Sequence, residues 1–281
     1  MKAAFLFGTV GSPTTTPKNP GGTRGAIKQI SILGLGALEM AWVQSVRISE
    51  IRCKEIKQTA TEMGIKLSVH APYFINLNAT PEEWPNSRKR LMDAAHYGFL
   101  AGATDIIFHP GSYFGQNPSE VIKRAITRLR ECSLELKATD NSAILRPETM
   151  GKSALFGSFE DTLELSKAIE GIIPCIDFAH LHARTGDGSM NSKQEWTKTL
   201  IVYSDILGQE SLKHLHIHLS GIEYTQKGER KHLPIRESDL CLEQLFEALN
   251  EMDCGGRILC ESPILEEDAQ FMQELWYKLQ K

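Results

Sequence analysis

The chain has 281 residues, 41% hydrophobic and 23% charged, with a formal net charge of −4, ordinary values for a soluble globular protein with a large core. No apolar run approaches the roughly 18 residues of a membrane span, and the slight acid excess argues against a generally basic nucleic-acid coat, leaving room for a local basic patch or for metal ions that bring positive charge themselves. The six cysteines, Cys53, Cys132, Cys175, Cys241, Cys254 and Cys260, include no C-x-x-C pair, which argues against a disulfide framework and against a thiolate metal site.

In chain order, a short β-type run followed by a helical pattern recurs at intervals of about 30 to 40 residues. The first strand candidate is Ala3–Phe7. Its apolar run is too short for a signal peptide, and Gly8 to Pro13 reads as a loop, so a cytoplasmic protein is expected. The Pro- and Gly-rich stretch from Gly8 to Gly25 comes too early to divide two domains. The second strand is Ala37–Ala41; Gly34-Leu35-Gly36 precedes it instead of following it, so a nucleotide-binding glycine loop is absent. Ile48, Ile51, Ile56, Ala60 and Met63 then fall close to one helix face. The third strand, Lys66–His70, leads to Thr80-Pro81-Glu82-Glu83, a capping box that predicts a helix start. After the fourth, Asp105–His109, the residues Val121, Ala125, Leu129, Cys132 and Leu136 mark one helix face. The fifth and sixth are Ala143–Glu148 and Ile172–Asp177, with a second capping box at Ser192–Glu195. The seventh and eighth are Leu215–Leu219 and Ile258–Glu261, and Glu266-Glu267-Asp268 open the last helix where its dipole favours acids. Alternation of β and α with no long strand–strand hairpin predicts a parallel sheet. Eight such units fit a single α/β domain over residues 1–281, a closed (β/α)8 TIM barrel, better than an open sheet.

The position of the metal-capable residues carries the functional reading. The third strand ends at His70, the fourth at His109, the fifth at Glu148, the sixth at Asp177, the seventh at His218 and the eighth at Glu261. All C-terminal strand ends of a barrel open on one face, so these six converge on one mouth. Any one of them alone reads as an ordinary polar residue, and Glu148 has Arg146 as a nearby partner; six at equivalent points predict a metal site. Imidazoles and carboxylates together suit Zn²⁺, and also Mn²⁺ or Fe²⁺. His180 adds a donor three residues after Asp177. His182 reads equally as a ligand or as a loop or supporting histidine. His214 and His216 share a strand face with His218 and are expected in the barrel interior, holding ligands in place.

These residues sit in runs that resemble the endonuclease IV family of abasic-site nucleases over nearly the whole chain. The runs are His70-Ala71-Pro72-Tyr73-Phe74-Ile75-Asn76-Leu77, His109-Pro110-Gly111, Pro147-Glu148-Thr149, Cys175-Ile176-Asp177-Phe178-Ala179-His180 and Leu259-Cys260-Glu261-Ser262-Pro263. The resemblance implies a (β/α)8 barrel with three zinc ions that hydrolyses the phosphodiester 5′ to an abasic site in double-stranded DNA, acting as a monomer in base excision repair. It implies that Glu148 bridges two ions, one completed by His70 and His109, the other by Asp177, His218 and Glu261. A third would be held by His180 and His232. Glu148 and Glu261 would be catalytic, the latter orienting the attacking water, and Tyr73 would sit beside the flipped-out nucleotide. Paired ions activate a water and stabilise the leaving oxygen.

Two stretches depart from the family's usual pattern: His218-Leu219-Ser220-Gly221-Ile222-Glu223 after the seventh strand, and Glu229-Arg230-Lys231-His232 at the third ion. They resemble an archaeal-type branch with a Gly-Glu-x-x-His signature, in which Glu229 replaces the usual Asp and Gly228 lets the loop turn inward. The DNA-intercalating segment near Trp42 to Arg47 has no clear match. Arg88-Lys89-Arg90 and Arg230-Lys231 read more readily as solvated faces than as phosphate contacts. The rival readings are a metal-dependent sugar isomerase or epimerase on the same barrel, which needs no third ion, and a non-catalytic DNA-damage binder.

Overall fold

The computed structural model describes residues 4–280. Eight parallel strands form one sheet: β1 (Phe5–Val10), β2 (Ala37–Ala41), β3 (Lys66–His70), β4 (Ala103–Phe108), β5 (Ile144–Pro147), β6 (Cys175–Asp177), β7 (Leu215–Leu219) and β8 (Gly256–Cys260). Their spatial order is β5-β4-β3-β2-β1-β8-β7-β6. The two ends meet through the parallel bridges Leu145–Ile172 and Glu148–Cys175, which close the barrel. This is the TIM barrel that the alternating pattern predicts.

The helices α1 (Gly22–Ile32), α2 (Glu50–Met63), α3 (Trp84–Leu100), α4 (Pro118–Ala138), α5 (Phe159–Ala168), α6 (Phe178–Thr185), α7 (Lys193–Leu207), α8 (Leu242–Glu251) and α9 (Glu266–Leu279) alternate with the strands. Strand side chains that point outward bury against them. Phe5 meets Trp276 of α9 edge-on at 5.0 Å, and Phe7 meets Phe246 of α8 at 6.4 Å. In α4 the buried set includes Val121, Ala125, Leu129, Cys132 and Leu136, the face read from the sequence. Five of the six cysteines are buried and none is paired.

Several local readings need correction. β1 runs on through Val10, because Gly8, Thr9 and Val10 pair with β2, so the sequence-based loop begins too early; Ala3 lies outside the described residues. In α2 the buried side is Cys53, Ile56, Thr59 and Ala60, while Ile51 and Met63 face solvent. The Ser192–Glu195 capping box forms in full. At Thr80 only half of it does: Glu83 N–H donates to Thr80 Oγ1 at 3.3 Å, and α3 starts one turn later at Trp84. The largest surprise is an antiparallel hairpin of Gly221–Thr225 and Gly228–Leu233 after β7. Polar alternation with Gly228 at φ +92° marks it in retrospect.

At the N-terminal end of the barrel a buried charge network takes the place of apolar filling. Asp105 accepts from Arg146 Nε, and lies 3.0 Å from Arg257. Arg146 thus pairs with Asp105 and not with Glu148.

Candidate metal centre

Strand ends and first loop residues deliver the donors. His70 is the last residue of β3, Asp177 of β6, and His218 the fourth of five in β7. His109, Glu148 and Glu261 each directly follow their strand. Glu148 is fixed there because its N–H donates to Phe108 O at 3.0 Å, which continues the β4–β5 ladder. Glu261 N–H likewise donates to Leu219 O at 3.1 Å.

Glu148 stands at the middle and is fully buried. Its Oε2 lies 3.2 Å from His70 Nε2 and 3.4 Å from His109 Nε2. Its Oε1 lies 3.5 Å from His218 Nδ1 and 3.4 Å from His180 Nδ1, and has no hydrogen-bond partner. One carboxylate therefore faces two donor groups, His70–His109–Glu148 and Glu148–Asp177–His218–Glu261, each compact to within 4.8 Å. His218 Nδ1 also lies 3.4 Å from Glu261 Oε1. Asp177 is the N-cap of α6: Oδ1 accepts from His180 N–H at 2.7 Å. Its buried Oδ2, 3.5 Å from His180 Nδ1, has no hydrogen-bond partner among the described residues.

A third group joins Asp177, His180 and His232. His180 Nδ1–H donates to Thr149 O at 2.9 Å, and His232 Nδ1–H to Glu261 O at 3.2 Å. Neutral imidazoles so bonded keep lone pairs on both Nε2 atoms, which nevertheless face each other at 3.2 Å. Glu229 Oε2 is 3.6 Å from His180 Nε2. Two lone pairs at that distance repel unless a cation lies between them. The hairpin brings His232 and Glu229 here through a close approach at two glycines. Glu229 N–H donates to Gly151 O at 2.8 Å. A Cβ on Gly151 would fall 2.7 Å from Glu229 Cβ, and one on Gly228 2.3 Å from Gly151 O.

The donor set fits divalent ions. Atoms bound at about 2.1 Å around one tetrahedral ion stand about 3.4 Å apart, close to the separations found. Buried carboxylate oxygens without partners are costly unless a cation meets them. In the chain alone, protons take that role. Burial would raise the Glu148 carboxyl, but His218 and His109 beside it hold it well below the usual range. Burial lowers the His180 imidazole, yet Asp177 and Glu148 hold it well above its ordinary value. Asp177 is pushed up to about 6, by burial first and by Glu261 and Glu148 next.

Tyr73 stacks on His109, ring centroids 4.9 Å apart, and remains half exposed at the mouth. Beside these two rings opens a cavity of about 430 Å³ lined by Asn76, Arg90, Ser112 and Met150 among others. His182 is turned away: it meets Ser189 O and, at 3.1 Å, Asp239. His214, expected inside the barrel, lies in a 3₁₀ turn before β7 and is largely exposed. The basic runs are engaged on the surface: Arg88 with Glu135, Lys89 with Asp93, and Arg230 and Lys231 with Glu223. Sequence reasoning missed two residues, Gly151 and Glu39. The signal for Glu39 was a single acid inside the apolar strand Ala-Leu-Glu-Met-Ala.

The family described as xylose isomerase-like TIM barrel matches residues 27–278. An uncharacterised protein of Methanocaldococcus jannaschii is 36% identical over 276 residues, 98% of each chain. A probable endonuclease 4 of Staphylococcus saprophyticus is 31% identical over 159 residues, 53% of this chain and 50% of its own length, so the alignment spans about half of that relative. Among solved structures, endonuclease IV from Thermus thermophilus superposes with a TM-score of 0.71 at 19% identity over 98% of each chain. A D-tagatose 3-epimerase-like protein superposes with a TM-score of 0.73 at 18% identity, over 98% of this chain and 97% of that one. Identities this low speak for the fold alone.

Proposed function

The chain belongs to the xylose isomerase-like TIM barrel family, and on that premise we propose that it is a metal-dependent endodeoxyribonuclease that hydrolyses the phosphodiester 5′ to abasic sites in duplex DNA. The observation that carries this reading is the third donor group of Asp177, His180 and His232, with Glu229 alongside. An isomerase or epimerase moves a proton on a small sugar and has use for one or two ions. A phosphodiester in line for displacement offers several anionic oxygens to neutralise, which three grouped cations suit.

When bound, the ions, zinc by the donor chemistry, would activate a water and neutralise phosphate and leaving-group charge. Glu148 spans the two interior groups and sets their separation. Asp177 fixes the start of α6 with one oxygen and offers the other to the site. His70, His180 and His232 each give Nδ1–H to a backbone carbonyl, which fixes ring and tautomer and aims Nε2 at the mouth. Glu261, about one-tenth exposed, would help to hold an ion and orient the attacking water. Tyr73 supplies an exposed ring beside His109, suited to stacking where a nucleotide leaves the duplex.

The test is a duplex with one tetrahydrofuran abasic analogue, which resists β-elimination and so reports hydrolysis alone. Nicking on its 5′ side, abolished by chelator and restored by Zn²⁺ or Mn²⁺, is the expected result. No nicking with any of these ions, together with ketose epimerisation, would move the site to the sugar-active branch.

A further inference from the structure

Behind the mouth, in the barrel interior, lies a carboxylate that the proposed hydrolysis does not use. Glu39 on β2 is fully buried. Its Oε2 accepts from Ser68 Oγ at 2.7 Å and lies 2.9 Å from His216 Nε2. Its Oε1 lies 3.0 Å from His218 Nε2, outside good hydrogen-bond alignment, and neither of these two buried atoms has a hydrogen-bond partner among the described residues. His218 therefore lies between two carboxylate layers, with Nε2 toward Glu39 and Nδ1 toward Glu148 and Glu261.

We propose that Glu39 is a positioning residue that draws the His218 proton onto Nε2 and so presents the bare Nδ1 to the ion held with Glu148, Asp177 and Glu261. The inference rests on the reading of the mouth as a metal centre. Imidazole ligates through one nitrogen only when the other carries the proton, and an acceptor aimed at that other nitrogen decides which is which. Here the acceptor is itself anchored, because Ser68 and His216 hold its second oxygen. The asymmetry makes the amide variant informative. In Glu39→Gln two donors, Ser68 O–H and His216 N–H, compete for the amide oxygen at one end. The NH₂ group is left facing His218 Nε2, which must then accept, and the proton moves to Nδ1, where it blocks the ion. The substitution keeps size and shape, so no cavity opens.

The experiment compares wild type, Glu39→Gln and Ser68→Ala by nitrogen-15 histidine spectra of the zinc-loaded proteins and by zinc competition against a chromophoric chelator. Wild type is expected to show His218 protonated at Nε2. Glu39→Gln should lose zinc about 10- to 100-fold more readily, the range for partners that orient metal-bound histidines, with a smaller change of the same sign in Ser68→Ala. Loss of a buried charge lowers the melting temperature of the zinc-free Glu39→Gln protein whatever the role of the residue, so the position of the His218 proton is the readout that a merely structural role would not move. Unchanged zinc affinity with His218 still protonated at Nε2 in Glu39→Gln overturns the inference. So does an anomalous zinc peak bonded to Glu39 itself. If wild type takes up no zinc, the metal reading falls and this inference with it, a result separate from failure in the variant alone.

Discussion

Glu148→Gln is the sharpest probe of the centre. The side chain is fully buried, and its two oxygens face four imidazole nitrogens at 3.2 to 3.5 Å. The amide matches the carboxylate in volume, so packing is kept and the change is one of charge: one negative charge shared between two donor groups disappears. Even partners that only support metal ligands are worth about 10- to 100-fold in affinity, so a hundredfold loss at each of two ions is a modest expectation. At a free-ion concentration about a hundred times the wild-type Kd, bound ion stabilises by about 2.7 kcal/mol; after the loss it gives about 0.4 kcal/mol. Two ions then remove about 4 to 5 kcal/mol, and at roughly 2–4 °C per kcal/mol the melting temperature should fall by about 10 to 15 °C. Calorimetry in zinc and in excess chelator measures this, with elemental analysis giving the stoichiometry. The gap between variant and wild type should shrink in chelator. An equal gap in both conditions, or unchanged stoichiometry, refutes the bridging role.

Gly151→Ala should displace Glu229 and the hairpin, since the new Cβ would meet Glu229 Oε2 at 2.9 Å; anomalous diffraction at the zinc edge should show one ion lost and two kept. Asp177 is raised to about 6, and His180 well above its ordinary value. Both must shed protons before a cation binds, so zinc affinity should climb as the pH rises through about 6 and on beyond the ordinary imidazole value, with proton release visible by calorimetry in buffers of different ionisation enthalpy. Asp105 is held far below the ordinary carboxylate value: burial opposes this, and Arg146 and Arg257 outweigh it. Its contribution is present above about pH 4 and is lost as the pH falls through the depressed value. Asp105→Asn should therefore flatten the acid limb of the stability curve and cost about 3 kcal/mol at neutral pH by leaving a buried guanidinium unpaired, measured by urea unfolding.

Much of this was legible in the sequence, for a definite reason. A barrel strand ends where its apolar run ends, so His70, His109, Glu148, Asp177, His218 and Glu261 could be placed on one face from pattern alone. Where the backbone leaves the strand–helix alternation, pattern fails. The hairpin after β7 carries no apolar run long enough to announce itself, so Glu229 and His232 are reached through the resemblance, the place of their loop after β7 and the turn freedom of Gly228, not through periodicity. His214 leaves the strand face because the period-two spacing does not show where β7 starts: the residues before Leu215 form a 3₁₀ turn. Glu39 escapes pattern reading because an acid in an apolar strand has no partner beside it in sequence; Ser68 stands on the neighbouring strand β3 and His216 on β7, far along the chain.

The two kinds of scaffold also divide the chemistry of the mouth. The donors around Glu148 ride on barrel strands or the first residue beyond them, locked by ladder hydrogen bonds and by the packing of the interior. They can be moved only by disturbing the barrel. The third group is different: Asp177 and His180 stand at a strand end and a helix start, but His232 and Glu229 come from a hairpin held against the barrel at Gly151. A change at Gly151 therefore bears on the third donor group alone, where a change at Glu148 bears on both interior groups.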